Sequence, residues 1–114
     1  MSTPITPVEQ KRKVITAIPG PKSTQIIARR AAAVSAALGM SLPAVIERAA
    51  GGILVDVDGN HIIDLGAGIA VVNVGNSAPR VVENVQRQVA EFTHTCFMVA
   101  PYLGYISVCE ALNR

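Results

Sequence analysis

Residues 53–65 read Ile53-Leu-Val-Asp-Val-Asp-Gly-Asn-His-Ile-Ile-Asp-Leu65, and their alternation decides the fold. Ile53, Val55 and Val57 alternate with Leu54 and Asp56; His61, Ile63 and Leu65 then alternate with Ile62 and Asp64. A period of two is that of a half-buried strand. Asp58-Gly59 separates the two runs, and glycine supplies the positive φ of a tight turn, so the stretch predicts a β-hairpin.

Helices are expected on either side. Upstream, Ile27, Ala31, Val34 and Leu38 recur at helical spacing, Thr24 can cap and Gly39 can stop, which predicts a helix over 24–38. Residues 40–52 fit either a short helix after Pro43 or an extended segment, ended by Ala50-Gly51-Gly52. Downstream, residues 66–76 form a glycine-spaced connection, Gly-Ala-Gly-Ile-Ala-Val-Val-Asn-Val-Gly-Asn. A second helix is predicted over 77–92, with Asn76 or Ser77 as cap and Pro79 in the first turn. Val81, Val82, Val85, Val89 and Phe92 make its apolar stripe, and Glu83 and Arg87 an outward i,i+4 pair. After a loop over 93–100, Pro101 opens a last helix with Tyr102, Tyr105, Ile106, Cys109 and Leu112 on one face.

Composition narrows the class. The chain has 114 residues, half of them hydrophobic, and a mean hydropathy of +0.39, which excludes disorder throughout. Only four residues are aromatic and none is Trp, so the core is thin. Residues 1–30 carry six bases and one acid; residues 31–114 carry four bases and seven acids. The basic head lacks interleaved aromatics and is broken by proline, so residues 1–23 read as an extended, solvated leader rather than a nucleic-acid arm. No signal-peptide pattern opens the chain, and no apolar run is long and clean enough to span a bilayer. A cytoplasmic location, with no membrane and no nucleic-acid partner, is expected.

Each chemical motif has a plainer explanation. Cys96 and Cys109 have no zinc spacing with His61 and His94, so no metal site is expected. His94 beside Cys96 lacks a third orienting group, and a loop histidine accounts for it. Asp58 is explained by the turn, Asp56 and Asp64 by the hairpin edges. Gly66 and Gly68 begin a dinucleotide-like spacing, but Val71 holds the third glycine position. Gly66, Gly68 and Gly75 then read as points where backbone passes close to another element or a ligand. Lys11, Lys13 and Lys22 are the only lysines, so none lies from Ser23 to Arg114.

The order of these motifs resembles the amino-terminal region of the class III, pyridoxal-phosphate-dependent aminotransferases. That pattern runs strand, Asp-x-Asp-Gly turn, second strand ending in Asp, a Gly-Ile stretch, Gly-His-x-His-Pro, and an amphipathic helix ending in Gln. Here it falls on Ile53 to Leu65, Gly68-Ile69, Gly75 to Pro79, and Gln88. Thr93-His-Thr-Cys-Phe97, Pro101-Tyr102 and Cys109-Glu-Ala-Leu-Asn113 resemble the family's 4-aminobutyrate branch, as does Ile18-Pro-Gly-Pro21. Asn76 and Ala78 stand where the family has its two histidines, and residues 31–45 resemble an insertion.

The resemblance implies an α/β fold-type-I enzyme, of which this piece is an α+β portion of the small domain: helix, β-hairpin and two further helices. Residues 1–23 would be the leader, and 24–114 the small-domain portion with the start of the next segment. The implied activity is transfer of the amino group of 4-aminobutyrate through pyridoxal phosphate to 2-oxoglutarate, in a homodimer. Ile69 is the substrate-pocket residue the resemblance carries over, with Met98 as a second pocket-side position. An aliphatic wall suits the methylenes of an ω-amino acid. No catalytic or cofactor-binding residue of the family falls within this chain. The alternatives are a sister enzyme acting on ornithine, acetylornithine or β-alanine, and a non-catalytic truncated interaction module.

Overall fold

A computed structural model describes residues 6–114, so the first five residues of the expected leader lie outside it. The chain forms two compact units, one reaching to Pro79 and one running from Arg80 to Arg114. The expected α+β content is present, among the described residues, as four helical elements and one small antiparallel sheet.

The first unit holds α1 (Pro21–Ala33) and strands β1 (Ile46–Ala50), β2 (Ile53–Asp56) and β3 (His61–Ile63), in the order β1-β2-β3. The hairpin read from the sequence is β2–β3, with Ile53 opposite Ile63 and Val55 opposite His61. Four residues link these strands; Gly59 closes the turn at φ +87 and donates its N–H to the Asp56 carbonyl at 3.0 Å. The ambiguous 40–52 stretch resolves as extended: β1 pairs with β2 through a two-residue Gly51-Gly52 loop, with Gly51 at φ +56. The register shifts between Ile46 and Arg48, which marks a bulge.

The core is small and partly polar. Among the described residues Ile53 and Val55 are its buried hydrophobics, at 5% and 2% exposure. Each contributes roughly 1.5–3 kcal/mol. Beside them Asn60, fully buried, ties three segments together. Its Oδ1 accepts the N–H groups of Ile15 and Thr16 at 2.8 and 3.0 Å, and its Nδ2 donates to Thr16 Oγ1 and Asp56 Oδ2, both at 2.8 Å. Asp56 Oδ1 accepts the backbone N–H of Asp58 and of Asn60. Lys13 and His61 also exchange backbone hydrogen bonds. The leader is therefore docked along the β3 edge, not simply solvated, although Lys11, Arg12 and Lys13 stay exposed.

Helix α1 starts three residues before its expected position, at Pro21, and stops five earlier, at Ala33. Thr24 is inside the helix, its hydroxyl donating to the Gly20 carbonyl. The cap comes from Asp58, whose carboxylate accepts the N–H groups of Lys22 and Ser23. At the other end, Ser35 accepts local bonds from Ala37 and Leu38, and Arg30 donates to the Leu38 and Gly39 carbonyls. The chain has already left the helix at Val34, which is extended at φ −109 and ψ 138.

The second unit carries α3 (Pro79–Glu91), which opens at the junction, and α4 (Leu103–Leu112). Arg87 bonds Asn84 at 2.6 Å rather than pairing with Glu83. All four aromatic residues meet here. Phe97 lies 4.4 Å from Tyr105 and 5.4 Å from Tyr102, and Phe92 lies 5.5 Å from Tyr102, as ring centroids. That cluster holds the 92–105 segment against the start of α4.

Candidate functional site

The glycine-spaced connection after β3 folds into an unusual element, α2 (Ala67–Ala70). Ala67, Gly68, Ile69 and Ala70 have φ of +46, +63, +61 and +60, so the turn is left-handed. Backbone bonds close it, from Ala70 N to Gly66 O at 3.0 Å and from Val71 N to Ala67 O at 2.8 Å. Only Gly68 enters this region without a Cβ penalty. Left-handed backbone costs other residues roughly 1–2 kcal/mol each, and a β-branched residue such as Ile69 is a marked outlier there.

Asp64 holds the turn. Its Oδ1 accepts the N–H of Gly66 at 3.1 Å and of Ala67 at 2.8 Å. Its Oδ2 accepts the Asn76 side-chain amide at 3.1 Å. Asn76 is itself fixed by paired backbone bonds with Gly51, both at 2.8 Å. Gly75 has φ +91, and a Cβ there would stand 3.1 Å from the Gly51 Cα. A hollow of about 270 Å³ lies within this arrangement, lined by Gly51, Asp64, Ala67, Val72 and Asn76 among others.

The sequence-derived site residues fall as follows. Gly66 precedes the turn at φ −92, Gly68 is inside it, and Ile69 projects from it with 95% of its surface exposed. Met98 belongs to the second unit. It sits in a turn where Cys96 has φ +55 and accepts the Val99 and Ala100 N–H groups, and it is 92% exposed. Local sequence pattern does not mark Asp64 or Asn76 as site residues. An Asp just before a Gly-x-Gly run was the available signal for the first; the second bonds across 12 residues and left none.

Chemically, the turn offers an aliphatic surface. Asp64 accepts three N–H donors, so both its oxygens serve the turn. Asp56 serves Asn60, and Asp58 serves α1. Partial burial pushes the Asp58 pKa up, but hydrogen bonds from the Ser23 side chain and backbone and from the Lys22 backbone, with the Lys22 charge, outweigh it, so its pKa lies below the ordinary carboxylate value. Among the described residues no group of three or more His, Cys, Asp or Glu side chains is placed to hold a metal ion. No helix among them is long and apolar enough to cross a membrane.

A profile of the family Aminotransferase class-III matches residues 34–114. A 4-aminobutyrate aminotransferase of Mycobacterium tuberculosis is 61% identical over 107 residues, which is 94% of this chain and 24% of that protein. The 4-aminobutyrate aminotransferase of Mycobacterium leprae is 56% identical over 110 residues, 96% of this chain and 25% of that protein. The 5-aminovalerate aminotransferase DavT of Pseudomonas putida is 39% identical over 89 residues, 78% of this chain and 21% of that protein. The chain belongs to the class III aminotransferase family. It spans about a quarter of the length of the mycobacterial relatives.

Class III aminotransferases work with pyridoxal phosphate. The residues of this chain do not fit that group. Lys11, Lys13 and Lys22 are exposed, no lysine follows Lys22, and the three aspartates of the hairpin region are taken up by backbone and amide donors.

Proposed function

We propose that this chain is the amino-terminal part of a 4-aminobutyrate:2-oxoglutarate aminotransferase, belonging to its small domain. The observation that carries this reading is 61% identity across 94% of the chain to a protein of that name. In it, Ile69 forms an aliphatic wall for the methylenes of the ω-amino acid, and Met98 is a second apolar pocket residue. The glycines of the 66–75 stretch let backbone come close to neighbours. The Schiff-base lysine and phosphate cradle of pyridoxal phosphate belong to other parts of the polypeptide. A homodimer in the cytoplasm fits two free cysteines and the exposed apolar side chains Leu65, Val71 and Val74.

The test uses the full-length polypeptide that carries these residues, loaded with pyridoxal phosphate. Glutamate formation from 2-oxoglutarate is measured with 4-aminobutyrate, 5-aminovalerate, ornithine, acetylornithine and β-alanine as donors. The highest kcat/KM with 4-aminobutyrate supports the reading; a higher value with another donor replaces it with that sister activity. A 5-aminovalerate preference is the second reading, supported by 39% identity to DavT over 78% of the chain.

A further inference from the structure

The left-handed turn at Ala67–Ala70 is out of proportion to its sequence. Three of its four residues carry a Cβ, and each stands at a φ that L side chains rarely adopt. Such backbone persists only where its surroundings over-determine it. Two side chains supply that here. Asp64 caps the turn through the Gly66 and Ala67 N–H groups, and Asn76, anchored on Gly51, donates its amide to the other Asp64 oxygen. The carboxylate is thereby fixed from both sides, and the turn with it.

We infer that Asp64 and Asn76 are positioning residues: their hydrogen bond latches the left-handed turn and so sets where the Ile69 side chain stands relative to the ω-amino acid. This rests on the reading of Ile69 as a pocket wall. Asn76 is the informative half, since it stands where the family pattern has a histidine. Its amide donates to Asp64 and carries no titratable proton itself.

The donor and acceptor can be exchanged. Asp64→Asn keeps an oxygen for the Gly66 and Ala67 amides but opposes two NH₂ groups, and Asn76→Asp opposes two carboxylates. The double variant restores one amide-to-carboxylate bond with reversed polarity. In the full-length, cofactor-loaded protein, two quantities are read for each variant and for Ile69→Ala. One is amide hydrogen exchange over 65–72, with 53–63 as the internal control. The other is the ratio of kcat/KM for 4-aminobutyrate to that for 5-aminovalerate.

Each single variant is expected to speed exchange over 65–72 by about ten-fold, with little change over 53–63. Each should shift the substrate ratio by about five-fold in the direction of Ile69→Ala, and the double variant should return both within about two-fold of the parent. Should a charged single variant fail to fold, Asn76→Ala removes the donor without opposing like groups. Unchanged exchange in the singles, or no recovery in the double, overturns the latch. Faster exchange with an unmoved ratio, while Ile69→Ala does move it, overturns the positioning role. If Ile69→Ala leaves the ratio unchanged, the pocket reading fails, and a restored double variant in exchange still supports the latch.

Discussion

The Asp58 carboxylate accepts the Lys22 backbone N–H at 2.7 Å across 36 residues of sequence, so a hairpin turn caps a helix it does not adjoin. Ser23, fully buried, gives its N–H to the second oxygen at 2.9 Å. A helix N-terminus has free N–H donors, and a carboxylate there also meets the favourable end of the helix dipole.

This relationship has a pH signature. The folded-state pKa of Asp58 is depressed, so the cap stabilises the fold fully above the ordinary carboxylate pKa, about 3.9. The contribution is lost as pH falls through the lower folded-state value. The protection factors of the Lys22 and Ser23 amides, corrected for the intrinsic exchange rate at each pH, should fall in that acid range ahead of those in β2. Asp58→Asn should flatten the acid limb, and an unaltered limb would count against the cap.

Asn60 is the hinge of the polar core. Asn60→Ala leaves one oxygen of the buried Asp56 without its partner and frees the part-buried Ile15 and Thr16 N–H groups. A buried orphan costs about 1–3 kcal/mol, and a loss of about that size is expected in denaturant unfolding. Limited proteolysis within residues 6–18 should then be faster than in the unsubstituted protein.

Gly75 has no room to grow. Gly75→Ala combines a φ of +91 with a Cβ about 3 Å from the Gly51 backbone. Destabilisation of roughly 2 kcal/mol or more is expected. Ala70→Gly acts oppositely: it relieves a left-handed alanine at φ +60 and should stabilise by about 0.5–1 kcal/mol, read as a raised Tm.

Ile69→Ala in the full-length enzyme should weaken use of 4-aminobutyrate. Losing methylene contacts is worth roughly 1–3 kcal/mol in kcat/KM. The change belongs in the amine half-reaction, measured by single turnover, and an unchanged value there removes Ile69 from the pocket.

The lysines give a separate check. Treating the 114-residue chain with pyridoxal phosphate and borohydride should label Lys11, Lys13 and Lys22 in scattered, substoichiometric fashion. A Schiff-base lysine needs a buried site that lowers its pKa, and these three are exposed. One stoichiometrically labelled lysine with amino transfer to 2-oxoglutarate would falsify the proposed division of labour.

The elements that depend on local pattern were legible. Alternation in 53–63 gave β2 and β3, and valine spacing with Pro79 gave α3 within two residues at each end. What escaped depends on partners distant in sequence. Nothing near Pro21 announces that Asp58 will cap it, and Thr24 is the residue nearby with capping chemistry. The leader read as solvated because Asn60, its anchor, looks like an ordinary turn residue. Ile69 stands out through its family context, but its left-handed backbone runs against its own propensity and is held by Asp64 and Asn76.

The gathering of every ring into the 92–105 neighbourhood has a spectroscopic consequence. With no Trp, and with Tyr102 and Tyr105 the only tyrosines, ultraviolet emission excited in these residues originates wholly in that cluster. Near-ultraviolet dichroism of the same stretch reads the edge-to-face packing of Phe97 on Tyr102. Melting of the β-sheet is optically silent at those wavelengths and shows only in the peptide bands.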